Sequence, residues 1–369
     1  AKRTAGVCVL FYAPYYATEL ERPVDGACNL QFTPSAIRRP AYFDGLLKVL
    51  QVLNIDYDMA DLENATSDSL KSYKQVWVFS TDEMNARDQQ VIVDYTRNGG
   101  HSIILPYLPD RETSQKSCTL LRDAIGIHPT GKEVIDSPLI DVLDLKDIKC
   151  ANPVFTFTEK ALEGAQAIAR TVSGSVCGFT KSSGQGLYTH LGTWTGFDTE
   201  GHLPMYEALL KTSGAKLRHA DANSAYIAVS ERFTGAGSAI LFAGNYHNEA
   251  HASKITYTHP KTGETVSIPY LHGELMLPAL YSILTPVGLE ITPGLTLLHC
   301  TSDITGIQVS GHQVEITLYG DRDLPGEIVF EGVRAVQIKI DEPKSVNAEA
   351  NGSRRVVSYH HKHLEDIVL

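Results

Sequence analysis

The feature that most constrains this chain is an alternation of strand-length apolar runs with helical stretches over residues 6–126. Residues 6–12 (GVCVLFY) form one such run, and residues 101–106 (HSIILP) form another. Between them, residues 82–97 open with an aspartate and read as a helix, which Gly99 ends. Alternating strands and helices are typical of a parallel sheet covered by helices. We therefore predict an α/β fold for this part of the chain.

The sequence changes character after Leu217. From there it consists of short strand-length runs, such as GSAILFAGNY and HQVEITLYG, with Gly, Asn or Pro in the turns between them. This length and spacing predict antiparallel β structure, either a sandwich or paired small sheets. We predict an α/β domain at 1–217 and an all-β, sandwich-like domain at 218–369, the latter divisible into 218–290 and 291–369.

Composition limits the partners that the protein can have. The formal net charge of −11 argues against nucleic acid or an anionic membrane as the main partner. No run of about 18 apolar residues occurs, so we expect no membrane-spanning helix and a cytoplasmic location. The six cysteines include no C-x-x-C pair, which favours reduced, mostly buried thiols over a zinc site or a disulfide framework. No cofactor is predicted.

The loop after residues 101–106 is where an α/β enzyme often places a nucleophile or a phosphate-binding turn. Residues 106–110 read PYLPD and contain neither cysteine nor serine. A phosphate-binding turn needs glycines after the strand, but Gly99 and Gly100 come before it. The sequence therefore indicates an α/β scaffold that lacks both kinds of site.

Two further short patterns resemble functional motifs. Gly184-Gln185-Gly186 precedes a strand, which is the wrong order for a dinucleotide-binding fingerprint, and a tight hairpin is the better interpretation. Asn248-Glu249 could suggest a glycosidase acid/base pair, but it lies in a polar turn outside any barrel. We interpret it as a chance dipeptide and expect the neighbouring Asn245 to cap a turn.

Histidines cluster in two places, and both could suggest a metal site. His247 and His251 share a turn, and His360, His361 and His363 lie near the end of the sequence. Neither group has a carboxylate or cysteine at a familiar metal-site spacing. We predict solvated histidines and no metal site.

An aromatic loop follows the first strand, at the edge where open α/β sheets place ligands. Aromatic rings beside carboxylates suit sugar binding or an interface, although an ordered surface loop explains them as well. Its notable side chains are Tyr12, Tyr15, Tyr16, Glu19, Glu21 and Arg22.

Three stretches of the first domain resemble one family. GVCVLFYAPYYATEL, VIVDYTRNGGHSIILP and GQGLYTHLGTW are similar to the trimerisation domain of glycoside hydrolase family 42 β-galactosidases. That domain is related to class I glutamine amidotransferases, has lost their active site, and has a flavodoxin-like fold. The resemblance therefore implies this fold for the predicted α/β domain and agrees with the missing nucleophile.

A later stretch resembles the β region of large family 35 enzymes, which include β-galactosidases and archaeal exo-β-glucosaminidases. The similarity lies in two strands, from Leu295 to Ser302 and from Leu318 to Gly320. Those enzymes begin with a (β/α)₈ barrel that carries two catalytic glutamates, and nothing in this sequence contains eight βα units. The resemblance thus implies a non-catalytic, carboxyl-terminal part of a longer β-galactosidase-like glycosidase, and the absence of an initiator methionine fits this expectation.

In such an enzyme this part would hold subunits together as a dimer or trimer, contact its own amino-terminal barrel and help to wall the oligosaccharide site. The resemblance suggests Tyr15, Tyr16, Glu19 and Arg22 for that walling or interface role, and no catalytic residue can be assigned. Two alternatives stay open, namely a carbohydrate-binding module and a self-contained hydrolase of amidotransferase-like ancestry.

Overall fold

The computed structural model describes residues 5–15, 45–196, 201–214, 217–271, 273–320, 324–332, 346–361 and 367–368. The chain divides into two compact units. The first extends from Ala5 to Leu217, and the second contains the chain from Arg218 onward.

The first unit alternates strands with helices. Its strands are β1 (Val7–Phe11), β2 (Tyr57–Asp61), β3 (Gln75–Ser80), β4 (His101–Pro106), β5 (Gly131–Glu133), β6 (Leu139–Val142), β7 (Leu145–Lys149), β8 (Val154–Thr156), β9 (Gln166–Thr171), β10 (Val176–Ser183) and β11 (Gly186–Leu191). Its helices are α1 (45–52), α2 (Ser67–Leu70), α3 (Ala86–Arg97), α4 (Leu120–Ile125) and α5 (His202–Lys211). No helix among the described residues is long and apolar enough to cross a bilayer.

Nine of the described strands form one mixed sheet in the order β2-β1-β3-β4-β11-β10-β9-β6-β7. The five strands from β2 to β11 run parallel to one another. Beyond β11 each neighbouring pair is antiparallel. The predicted parallel strands are thus present, but beyond the β10–β11 hairpin the sequence did not predict that β9, β6 and β7 extend the sheet, because the apolar pattern is less regular after Gly126.

Alternating side chains of the strands enter two hydrophobic cores, one on each face of the sheet. Val7 and Val9 of β1 belong to the core that includes the buried residues of α1 and α5. Cys8 and Leu10 belong to the core formed with α3 and α4. Helices therefore cover both faces of the parallel part of the sheet.

Four glycines join the end of α3 to the β10–β11 hairpin. Gly99 takes a positive φ of 104°, which ends the helix as expected. Gly184 starts the two-residue hairpin turn, since Ser183 pairs with Gly186. A Cβ on Gly186 would clash with the carbonyl oxygens of Thr96 and Gly100. The hairpin interpretation is confirmed, and these glycines serve close backbone packing.

The second unit contains only strands among its described elements, and the predicted all-β character is confirmed. They are β12 (Ala220–Ala222), β13 (Ile227–Phe233), β14 (Ala239–Asn245), β15 (His251–Ser253), β16 (Ile255–Thr258), β17 (Thr265–Ile268), β18 (Leu275–Leu277), β19 (Ser282–Val287), β20 (Leu289–Thr292), β21 (Leu295–Cys300), β22 (Asp303–Ser310), β23 (Gln313–Tyr319), β24 (Pro325–Glu331), β25 (Val346–Asn351), β26 (Arg354–His360) and β27 (Ile367–Val368). They form small sheets ordered β12-β16-β17, β13-β14-β19, β15-β18, β22-β23-β27 and β20-β21-β24-β26-β25.

Polar contacts connect the early strands of this unit with the late ones. The Glu327 carboxylate accepts hydrogen bonds from the backbone N–H of Tyr270 (2.9 Å) and from His299 Nε2 (2.8 Å). Arg354 donates both of its terminal nitrogens to Glu264, at 2.8 and 2.6 Å. Residues on either side of position 290 therefore share one bonded framework.

Candidate functional site

The carboxyl edge of the parallel strands is the natural place for a site in an open α/β sheet. Two tyrosines after β1 reach the loop after β3. The Tyr15 hydroxyl donates to the Glu83 carbonyl oxygen at 2.7 Å, and the Asn85 N–H donates to the Tyr12 hydroxyl at 3.2 Å. The two tyrosine rings meet edge to face at 4.6 Å. These rings brace one loop against the other.

The loop after β4 is held just as firmly. Leu108 is buried, and Arg122 donates to its carbonyl oxygen at 2.7 Å. Arg122 also pairs with Asp110 at 3.2 Å, while the Asp110 N–H donates to the Asp82 carbonyl oxygen at 2.9 Å. The Ser80 hydroxyl at the end of β3 donates to the Tyr107 carbonyl oxygen. The loop therefore presents bonded backbone and no nucleophile at this edge.

Two arginines at this edge, Arg111 and Arg87, are paired with carboxylates. Arg111 contacts Asp110 at 2.9 Å and Asp82 at 3.4 Å, and the hydrogen bond and charge of Asp110 raise the arginine pKa. Arg87 donates to the Leu62 carbonyl oxygen at 2.7 Å and to the buried Asp88 carboxylate at 2.9 Å. These charged groups hold the loops after β2, β3 and β4 together.

The thiols do not have the properties of a nucleophile. Burial raises the pKa of Cys8 to about 12, of Cys150 to about 11 and of Cys300 to about 12. The pKa of Cys177 is also raised, chiefly by burial. A reactive cysteine needs a lowered pKa, because the thiolate is the attacking species. These four are buried or half-buried structural thiols, as predicted.

Two histidines lie inside the first unit as neutral groups. His190 on β11 donates from Nδ1 to the Ile104 carbonyl oxygen at 2.9 Å, and its Nε2 has no hydrogen-bond partner among the described residues. Burial lowers its pKa to about 3. His101 accepts from Gln75 Nε2 at 3.0 Å, bonds Thr189 at 2.8 Å and has a pKa lowered by burial to about 4. Among the described residues, neither ring bonds an acidic side chain that could make it a catalytic base.

The predicted walling residues are only partly within the described chain. Tyr15 is buried and its hydroxyl is bound to the loop after β3, as described above. Tyr16, Glu19 and Arg22 lie outside the described residues. Their role at a substrate site or an interface stays a prediction.

The second unit contains one histidine contact that the sequence prediction got wrong. His361 was expected to be solvated, but it is buried, and its Nε2 lies 2.5 Å from the Ser302 hydroxyl. The same hydroxyl bonds the Tyr359 hydroxyl at 2.8 Å, and Cys300 Sγ donates to the Ser302 carbonyl oxygen. A serine beside a histidine can be a nucleophile and its base, but this serine lies in the buried interior, where the contact is structural.

The Asn248-Glu249 turn shows how a buried amide organises a surface loop. Asn245 Nδ2 donates to the carbonyl oxygens of Glu249 (2.7 Å), Pro278 (2.8 Å) and Leu277 (3.1 Å). Its Oδ1 accepts from the His247 N–H at 2.9 Å. The predicted turn-capping role of Asn245 is confirmed.

This turn holds a ring cluster that the sequence prediction missed. Tyr226 stacks on His251 with centroids 4.3 Å apart and meets His247 edge to face at 4.5 Å. The sequence indicated only that His247 and His251 are close to each other, because Tyr226 lies in the segment before β13, far from both along the chain. No group of three or more metal-binding side chains occurs among the described residues.

Comparison with known proteins relates the chain to carbohydrate-active enzymes. The model of the family described as GLMA-like, second domain, matches residues 29–161. A beta-1,2-glucosyltransferase of Ignavibacterium album is 31% identical over 271 residues, which cover 70% of this chain and 36% of that protein. An exo-beta-D-glucosaminidase of Pyrococcus horikoshii is 26% identical over 266 residues, or 71% of this chain and 32% of that protein. The chain thus spans about a third of the length of these relatives.

Solved structures show the same relationship in the fold. A GH42 beta-galactosidase from G. stearothermophilus superposes with a TM-score of 0.59 at 14% identity, over 78% of this chain and 40% of that one. A beta-galactosidase from Bacillus circulans sp. alkalophilus gives a TM-score of 0.56 at 18% identity, over 77% of this chain and 41% of that one. The predicted resemblance to glycoside hydrolases is therefore confirmed for the fold.

Proposed function

We propose that this chain is the non-catalytic, carboxyl-terminal portion of a longer β-galactosidase-like or exo-β-glucosaminidase-like glycoside hydrolase. The observation that carries the proposal is the carboxyl edge of the parallel strands. Its loops are bound to one another through Tyr15, Arg122 and Arg111, and no nucleophile with an adjacent base lies there among the described residues. The named relatives are also much longer than the stretch they share with this chain.

The topology of the first unit supports an amidotransferase-like origin for this portion. Its parallel strands lie in the order β2-β1-β3-β4-β11. Taken in chain order, this is the 2-1-3-4-5 arrangement of flavodoxin-like folds. We infer that the unit descends from such a fold and has replaced its active-site loop by the bonded segment after β4.

The reaction of the parent enzyme would take place in a barrel domain outside this chain. A glutamic acid there would protonate the leaving oxygen of a terminal β-linked sugar, and a second glutamate would form the covalent glycosyl-enzyme. In this proposal the present chain assembles the enzyme as a dimer or trimer and helps to wall the oligosaccharide site. The loop with Tyr16, Glu19 and Arg22 is our candidate for that contact, since it follows β1 at the edge where ligands bind.

Two measurements on the 369-residue chain test this proposal. Incubation with chromogenic β-galactoside and β-glucosaminide should release no chromophore, and hydrolysis by the chain alone would refute the non-catalytic assignment. Sedimentation velocity over micromolar concentrations should show a dimer or trimer. A strictly monomeric chain would remove the oligomerisation part and leave the non-catalytic part intact.

A self-contained hydrolase has less support, because burial raises the pKa of the four thiols described above. A thiol-reactive probe offers a direct test. A cysteine that reacts much faster than a model thiol at pH 7 would favour this alternative. Carbohydrate binding, the other alternative, is favoured by the exposed stack of Tyr226 on His251 in the second unit.

A further inference from the structure

Three aromatic rings form a partly exposed cluster beside the start of β13 and the end of β14, and we call Tyr226, His247 and His251 the Tyr226 surface. Tyr226 is 50% exposed although His251 covers one face of its ring, with the ring centroids 4.3 Å apart and the two planes 19° apart. His247 meets His251 edge to face at 5.4 Å. The three rings thus fix one another while much of the tyrosine faces solvent.

Buried contacts hold this surface rigid from below. The side chain of Asn245, itself buried, bonds the segments before and after the turn through Glu249 and Pro278, as described above. The Leu280 N–H donates to the His247 carbonyl oxygen at 3.0 Å. Leu280 takes a positive φ of 54° and is 68% exposed. A bulky residue rarely adopts this conformation, so the turn keeps a costly backbone geometry beside the rings.

The polar side-chain atoms of the three rings are not used by the fold. Among the described residues, no hydrogen bond engages the Tyr226 hydroxyl or the ring nitrogens of His247 and His251. Asn248 and Glu249, in the same turn, are exposed. A rigid surface that combines an apolar ring face with unused donors and acceptors is suited to a ligand that offers both kinds of group.

We propose that the Tyr226 surface binds a short β-linked oligosaccharide, with the C–H face of one pyranose ring on Tyr226 and its hydroxyls on the two imidazoles and the rim residues. A β-linked sugar with equatorial hydroxyls presents such an apolar face and a polar edge at the same time. A metal ion fits less well, because no third metal-binding side chain joins the two imidazoles among the described residues.

The charge of the rim distinguishes two sugars of this shape. Glu249 is exposed in the turn, and the whole chain has a formal net charge of −11. An amino sugar would therefore bind more tightly than the neutral sugar, through its ammonium group. Cellotetraose and the tetramer of β-1,4-linked glucosamine are matched probes, since they share ring shape and linkage.

The test is calorimetric titration of the 369-residue chain with each tetramer at low salt. We expect a Kd of roughly 1 mM or below for at least one of them. Tyr226→Ala should weaken binding about fivefold or more, because it removes the stacking surface. Tyr226→Phe should keep most of the affinity. Tyr246→Ala is the control, since Tyr246 is 64% exposed and stacks on no described ring.

The outcomes separate this proposal from others. Absence of binding to both tetramers at 10 mM, about tenfold above the expected Kd, would overturn it. Equal losses for Tyr226→Ala and Tyr246→Ala would also overturn it, because the ring stack would then not be the contact. Circular dichroism of each variant checks that the fold is kept. None of these results depends on the absent barrel or on oligomerisation, so the proposed function can fail or hold independently.

Discussion

Asn245 allows the sharpest quantitative test of how the second unit is built. Its Nδ2 donates to three carbonyl oxygens at 2.7, 2.8 and 3.1 Å, and its Oδ1 accepts one backbone N–H at 2.9 Å. Replacing it by alanine removes two donated hydrogens and one acceptor from a buried position. At a net value of about 1 kcal/mol for each hydrogen bond, Asn245→Ala should lower the free energy of unfolding by about 3 kcal/mol.

Asn245→Asp separates hydrogen bonding from shape. Aspartate fills the same volume but turns a carboxylate oxygen towards the three carbonyl oxygens, where it cannot donate unless it is protonated. We expect a loss of about 4 kcal/mol or more at pH 7, larger than that of the alanine variant. The aspartate pKa in the fold would lie above its unfolded value, so the deficit relative to wild type should shrink as the pH falls towards 5.

Thermal unfolding followed by circular dichroism is the assay. For a unit of this size, about 3 kcal/mol corresponds to a fall in Tm of roughly 6–12 °C. Asn248→Ala, in the same turn but exposed, should leave Tm nearly unchanged. An Asn245→Asp protein as stable as wild type at pH 7 would refute the reasoning. Both Asn245 variants should also lose affinity for the sugar tetramers, because the turn that holds the Tyr226 surface loosens.

Three further predictions concern the rest of the chain. Gly186→Ala should lower the free energy of unfolding of the first unit by roughly 1–3 kcal/mol, and its Tm with it, because the added Cβ would meet backbone carbonyl oxygens that cannot move aside. Gly235→Ala is the control and should be neutral, because the space around Gly235 is open. His101 and His190 have folded pKa values of about 4 and about 3, below the unfolded value of about 6.5, because burial disfavours the charged ring. Urea unfolding should therefore show the free energy of unfolding falling as the pH drops from about 6.5 towards 4. A free energy that does not change over this range would contradict the burial of both rings. Cys300, buried and with its pKa raised to about 12, should react with a disulfide reagent in the native protein far more slowly than in urea, and equal rates would contradict its burial.

The local elements of the first unit were predictable because each carries its own signal. The apolar runs at β1, β3 and β4, and the helix that Gly99 ends, are set by spacing over a few residues. The tight β10–β11 hairpin follows from turn chemistry at Gly184. The pairing of β6 with β9 was not predictable, because it joins strands that are separated along the chain by β7, β8 and a 3₁₀ turn.

The contacts of single polar or aromatic residues in the candidate sites were likewise not predictable from the sequence. His361 has a polar neighbourhood in sequence, yet it is buried against Ser302, which lies 59 positions away. Tyr226 gave no signal of its own, and its role became visible only when the fold placed it on His251. The absence of a nucleophile after β4, in contrast, was readable directly from residues 106–110.

The sequence by itself determined where the main strands and helices between residues 6 and 126 lie, that a mixed strand-and-helix part precedes an all-β part, and that the loop after β4 offers no reacting group. Periodicity and turn residues act over a few positions, so these features need no knowledge of partners. The tertiary structure alone decided that Tyr15 braces two loops, that His361 is buried, and that Tyr226 and His251 form an exposed stack. These outcomes depend on contacts between distant segments, and a polar or aromatic side chain can be buried, paired or exposed according to what the fold brings against it.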